Sequence, residues 1–183
     1  MTKTHKSVRV LTEGAIFIAL AEILSFLPVC KLAWGGSVDF AMLPILLFCI
    51  RWGFGPGMLA ATAHAVLQLL FEGGIAIGWQ SMVGDFLVAY MVLGLAGLFR
   101  KKWLPATVVA CTARFLVHYV VGATIWAEYM PETFFGMTMT TPWFYSALYN
   151  GAYMLPDMVL CLALFWLMGK TPLRKFLKAE DIQ

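Results

Sequence analysis

The sequence predicts an all-α membrane protein: a six-transmembrane-helix bundle with both termini cytoplasmic. Three observations predict it. Apolar residues make up 61% of the 183 and charged residues only 13%, and the mean hydropathy is +0.81, whereas an ordinary soluble domain is about 25% charged. The apolar residues gather into six stretches, 8–28, 39–54, 56–71, 79–99, 104–127 and 143–168, most of them long enough to cross a bilayer. The basic residues cluster at alternate ends of these stretches, which by the positive-inside rule marks those ends as cytoplasmic. One domain spanning 1–183 accommodates all of it.

Lys3, Lys6 and Arg9 precede the first segment, and no cleavage site for a signal peptide follows. Ala15 and Ala19 form a small-xxx-small pair that lets another helix approach closely, from inside the bundle or outside it. Lys31, Trp34 and Asp39 fall in the first outer loop. The second and third segments are short and turn around Gly53–Gly57, with Arg51 at the cytoplasmic end; such short spans are tilted, partly re-entrant or shielded by neighbours. His64, beside Ala60, Ala61 and Ala63, reads as a satisfied core histidine.

The fourth segment carries Asp85 about two turns below its outer end and exits at Arg100, Lys101 and Lys102. On the fifth, Arg114, His118, Gly122 and Trp126 recur every four residues and share one face. Gly122 would leave an open shelf between the imidazole and the indole. Tyr145, Tyr149 and Asn150 begin the sixth segment, Asp157 lies near its middle, and Thr171–Gln183 reads as a solvated charged tail.

Depth along the helices brings Trp34, Asp85, His118, Trp126, Tyr145 and Asn150 into the outer half, with His118 about 13 Å down. Aromatic rings with a few hydrogen-bonding groups in an apolar protein are the usual composition of a small-molecule site. Intramembrane carboxylates need a partner or a cavity, so Asp85 favours a cationic ligand held by charge and by ring faces. Arg114 and Asp157 fall at equal depth and are expected to pair, with Glu22 and Glu13 as other partners for the arginine. Cys30, Cys49, Cys111 and Cys161 have neither disulfide nor metal-ligand spacing. No P-loop or GxGxxG provides nucleotide hydrolysis, no internal repeat marks an inverted-repeat transporter, and no catalytic group or metal is expected.

Several stretches together resemble the thiamine-specific substrate-binding subunits, or S-components, of energy-coupling factor vitamin transporters. They are Leu11-Thr-Glu-Gly-Ala15-xxx-Ala19, Trp34 followed by Ser37-Val-Asp-Phe-Ala-Met-Leu-Pro44, and Asp85-Phe86 leading to Gly94-Leu-Ala-Gly-Leu98. Arg114-Phe-xx-His118, Trp126, and Tyr149-Asn-Gly-Ala-Tyr-Met-Leu-Pro156 complete the set. The resemblance covers essentially the whole chain and rests on the order and spacing of its pieces. It implies thiamine contacts at Trp34, Asp85, Phe86, His118, Trp126, Tyr145 and Asn150. It also implies a cell-membrane location, no cofactor beyond thiamine as the transported ligand, and no nucleic-acid partner. Ala15 and Ala19 would face a transmembrane coupling subunit, with two cytoplasmic ATPases supplying the energy. The family commonly has an acidic residue followed by tyrosine where this chain has Asp85-Phe86, so a phenol hydroxyl is missing. Two other readings stand beside this one: the same architecture for another vitamin or a thiamine precursor, and an integral membrane enzyme using Asp85 and His118 as an acid–base pair.

Overall fold

A computed structural model of the protein describes residues 3–72 and 76–182. Helix α1 spans Lys3–Ser25. It ends three residues before Pro28, whose ring disfavours helical backbone just ahead of it, and not at 28 as the apolar run alone implies. A two-residue hairpin of β1 (Cys30–Lys31) and β2 (Ser37–Val38) follows, turned by Gly35 and Gly36 at φ +102° and +78°. Helix α2, Met42–Trp52, has 11 residues, of which all but one are buried. The second segment is therefore a core helix shielded by the others. Gly53, at φ +86°, turns the chain straight into α3, Phe54–Glu72.

Helix α4, Trp79–Phe99, matches the predicted bounds and departs from regular geometry. Its stretch Met82–Val88 is π-helical and Val92–Phe99 is a 3-10 helix. With about three residues per turn in the latter, Gly94 and Gly97 fall on one face against α3. A Cβ on Gly97 would lie 2.6 Å from Phe54 Cα, and one on Gly94 would lie 2.8 Å from Met58 Cα. This glycine face is what lets the two helices cross backbone to backbone.

Helix α5 spans Trp103–Thr124. A second hairpin, β3 (Thr133–Phe134) and β4 (Met137–Thr138), precedes the longest helix, α6, Pro142–Gly169, whose N-terminus is capped by Thr141 Oγ1 accepting from Phe144 N at 3.1 Å. The two hairpins are minor departures from an all-α chain. Among the described residues four helices (α3, α4, α5 and α6) are long and apolar enough to cross a membrane, and the chain is a multi-pass membrane protein.

The end of the bundle opposite the hairpins corrects two expectations. The C-terminal tail is not a solvated end. It forms the short helix α7, Arg174–Leu177, and a final turn, and buries Leu177, Ala179 and Ile182, the first in the main core and the other two in a cluster with Phe48 and Trp52. Arg51 is not a surface marker of a loop, since it is only 1% exposed. Its guanidinium reaches Glu13 Oε2 and both oxygens of Asp181 at 3.0 Å. Arg9 joins the same two acids at 2.9 and 2.6 Å, and Trp52 Nε1 donates to Glu13 at 2.8 Å. Hydrogen bonding to Arg51 holds the Asp181 carboxyl below the ordinary aspartate range.

Candidate functional site

At the hairpin end, α4, α5, α6, the loop of the first hairpin and the residues just after α5 enclose a cavity of about 460 Å³. All seven residues that the sequence assigned to a ligand site line it: Trp34, Asp85, Phe86, His118, Trp126, Tyr145 and Asn150. Gly35, Gly122, Tyr129, Ser146, Tyr149 and Tyr153 complete the wall.

Asp85 is the centre of its polar side. The carboxylate accepts from His118 Nδ1 at 2.9 Å, Trp126 Nε1 at 2.8 Å and Ser81 Oγ at 3.3 Å. It sits in the π-helical stretch of α4, and π turns are short, locally widened pieces of helix that recur at functional sites. Gly84 beside it lies so close to α5 that a Cβ there would meet Val121 Cγ2 at 2.6 Å. That close approach is what brings the Asp85 and His118 side chains within hydrogen-bonding distance. The donors to Asp85 include no lysine or arginine, so its negative charge is hydrogen-bonded but not neutralised by a fixed cation.

A second network ties α5 to α6. Asn150 Nδ2 donates to Ser146 O at 3.0 Å and to His118 O at 3.3 Å, while its Oδ1 accepts from Tyr153 at 2.8 Å. Ser146 Oγ donates to Tyr119 O at 2.8 Å. Gly122 does not leave an open shelf. A Cβ there would collide with Ser146 Oγ, so this glycine serves the close packing of the two helices as well as lining the cavity.

Rings close the remaining sides. Trp34 stands edge-on to Phe134 and Phe135, with centroids 5.2 and 4.9 Å away. Phe134 packs edge-on to Tyr145 at 5.2 Å, and the Tyr149 hydroxyl donates to Trp34 O at 3.2 Å. The second hairpin thereby leans on the first. Phe134 and Phe135 back the wall without lining the cavity, and sequence reasoning did not single them out, because two phenylalanines in a connecting loop carry no periodic signal. Tyr153 was legible as the i+4 neighbour of Tyr149 on the face of α6 that also bears Asn150.

Arg114 and Asp157 do not pair. The guanidinium lies over the Tyr90 ring, 4.2 Å from its centroid, and Asp157 accepts from the backbone N–H of Asp39 at 2.9 Å. Equal depth on two helices does not fix rotation about their axes, and the rotation turns these groups toward different neighbours. Neither alternative acid meets Arg114 either. Glu13 belongs to the Arg51 cluster, and Glu22 accepts from His64 Nδ1 at 2.6 Å and Gln68 Nε2 at 2.9 Å. His64 is wholly buried as expected, but only one of its two ring nitrogens has a partner. Ala15 and Ala19 are exposed on α1 and line a shallow apolar groove with Ile18 and with Ala63, Val66 and Leu67 of α3. Among the described residues no cluster of histidine, cysteine and carboxylate side chains is arranged to hold a metal.

The sequence model of a family described as thiamine transporter protein matches residues 11–177. The chain is 27% identical to the thiamine transporter ThiT of Bacillus subtilis (strain 168) over 189 residues, covering 93% of this chain and 95% of that protein. It is 23% identical to the thiamine transporter ThiT of Lacticaseibacillus paracasei over 175 residues, 85% of this chain and 84% of that one. A solved structure of ThiT from Listeria monocytogenes superposes with a TM-score of 0.79 at 22% identity, over 93% of this chain and 98% of that chain, which establishes a common fold.

Proposed function

This chain belongs to the thiamine transporter protein family, and on that premise we propose that it is the membrane-embedded thiamine-binding subunit of an energy-coupling factor vitamin uptake system. The observation that carries the proposal is the Asp85 carboxylate, held by an imidazole, an indole and a hydroxyl in a cavity walled by aromatic rings. Thiamine suits it chemically. Its thiazolium ring has a permanent positive charge that pairs with Asp85, and its two flat rings stack on Trp34, Trp126 and Tyr145. Phe86 supplies apolar wall, and His118 and Asn150 supply polar edges for the aminopyrimidine.

The role is transport and not catalysis. Asp85 and His118 are hydrogen-bonded as an acid–base pair would be, yet the carboxylate is occupied by three donors and serves as a charged floor for the ligand. Ala15 and Ala19 face a transmembrane coupling subunit, which closes over the apolar groove between α1 and α3, and two cytoplasmic ATPases drive the cycle. Both termini lie in the cytoplasm, which puts the cavity on the outer side.

Titration of the purified protein with thiamine tests the reading. Saturable quenching of tryptophan fluorescence is expected, because Trp34 and Trp126 line the cavity, with none from biotin or folate, whose carboxylates would meet Asp85. An equal response to all three would refute a cation site.

A further inference from the structure

Four buried side-chain polar atoms lack a hydrogen-bond partner among the described residues: His64 Nε2, Gln68 Oε1, Arg114 Nε and His118 Nε2. His118 belongs to the cavity. The other three belong to one column of contacts that leads from α5 to α1. At its far end, Glu22 of α1 accepts from His64 and Gln68 of α3, at 2.6 and 2.9 Å. The His64 ring then stands at 90° to the Tyr90 ring of α4, with centroids 5.1 Å apart. Arg114 of α5 lies over that same Tyr90 ring, 4.2 Å from its centroid.

We propose that Glu22, His64, Tyr90 and Arg114 form a coupling column that transmits occupancy of the cavity to the groove between α1 and α3. The inference rests on the reading of the cavity as a thiamine site and of the α1 face as the docking surface. Both ends of the column adjoin those surfaces. Arg114 stands four residues before His118 on α5, and Tyr90 stands five residues after Asp85 on α4. Glu22 stands four residues after Ile18, which lines the groove with Ala15 and Ala19.

Transmission needs an element with two arrangements that the ligand favours unequally. The π-helical stretch Met82–Val88 supplies it. It contains Asp85 and ends two residues before Tyr90, and a π turn is a local alternative to the α-helix. A cation drawn to Asp85 biases that stretch, and any change of its register rotates Tyr90. The ring touches both neighbours, so its rotation alters the seat of Arg114 and of His64 together. The unpartnered atoms belong to the same logic: they leave hydrogen-bonding capacity for a second arrangement to use.

Hydrogen–deuterium exchange of the detergent-solubilised full chain tests this, with thiamine as the probe and fluorescence titration run alongside. Saturating thiamine is expected to change amide exchange in α1 residues 15–25 by about fivefold or more. In Tyr90→Leu, thiamine should still bind while the α1 response disappears. Tyr90→Phe, which keeps the ring, should respond as the unmodified protein does. If Tyr90→Leu does not fold, Glu22→Gln at the opposite end of the column serves, with the α1 response reduced and binding retained. Thiamine binding without any change in α1 would overturn the column and leave the functional reading intact. Persistence of the response in Tyr90→Leu, or in Glu22→Gln where that variant stands in, would overturn it as well. Absence of thiamine binding in the unmodified protein would refute the functional reading, and the column with it.

Discussion

The two ends of the bundle treat buried charge in opposite ways. At the tail end, Arg9 and Arg51 meet Glu13 and Asp181 in a closed set of ion pairs, so each charge is answered by a fixed opposite charge. At the hairpin end, Asp85 is held by an indole, a hydroxyl and an imidazole, and among the described residues no lysine or arginine side chain bonds to it. The first arrangement is complete within the protein and fastens α1, α2 and the C-terminal tail together. The second is hydrogen-bonded but electrostatically open, which is the condition for recruiting a mobile cation. A buried carboxylate is thus structural or functional according to what answers its charge, and burial alone does not distinguish the two.

The sharpest way to break this contrast is to remove one charge from each end and read stability and binding separately. Arg51→Met leaves Glu13 and Asp181 facing one another with only Arg9 between them. Glu13 and Asp181 are 19% and 20% exposed and keep Arg9, so the cost falls below the about 3–5 kcal/mol of a fully buried pair, and the thermal midpoint in detergent should still fall measurably. Thiamine affinity of the folded fraction should not change. If instead affinity collapses with stability, the two ends are not independent.

Asp85→Asn keeps the shape and most hydrogen bonds of the cavity and removes its charge. Loss of a desolvated charge partner is worth about 2–3 kcal/mol, or roughly 100-fold in Kd. Isothermal titration with thiamine should show that loss with the thermal midpoint little changed. A neutral thiamine isostere should bind both forms almost equally. Unaltered thiamine affinity in Asp85→Asn would mean that the cavity does not select by charge.

The smallest effect concerns pH. The Asp181 carboxyl is held below its ordinary value by Arg51. Its contribution is therefore fully present above the unfolded value of about 3.9 and is lost as the pH falls through the lower folded value. Limited proteolysis of the tail should be unchanged from neutral pH down to the mildly acidic range and should rise only in strong acid. Release of the tail at mildly acidic pH would show that Asp181 is not what fastens it.

Most of the helix positions were legible because they depend on local composition. Apolar runs located α3, α4, α5 and α6 within a few residues, and Pro28 explains why α1 stops early. The cavity residues were legible for a related reason: Asp85, His118 and Trp126 are polar or amphipathic groups in stretches that otherwise avoid them, so each stands out against its background. Phe134 and Phe135 do not stand out, being apolar residues in an apolar chain. The π-helical turn around Asp85 left no trace either, since it comes from the packing of α4 between α3 and α5 and not from a motif.

By itself the sequence determined which segments are apolar enough to be candidates for the membrane, four of them matched by long apolar helices among the described residues, and which side chains must be reconciled with it, since the cost of placing a group in hydrocarbon is a property of that group. Which groups answer one another was decided only by tertiary structure. Arg114 and Asp157 share a depth and do not meet, Arg51 leaves the surface for a cluster built partly by the tail, and Gly122 is filled by Ser146 of the next helix. A hydrogen bond or ion pair is settled by shifts of an ångström or so, and the rotation of one helix against another is fixed by the packing of the whole bundle.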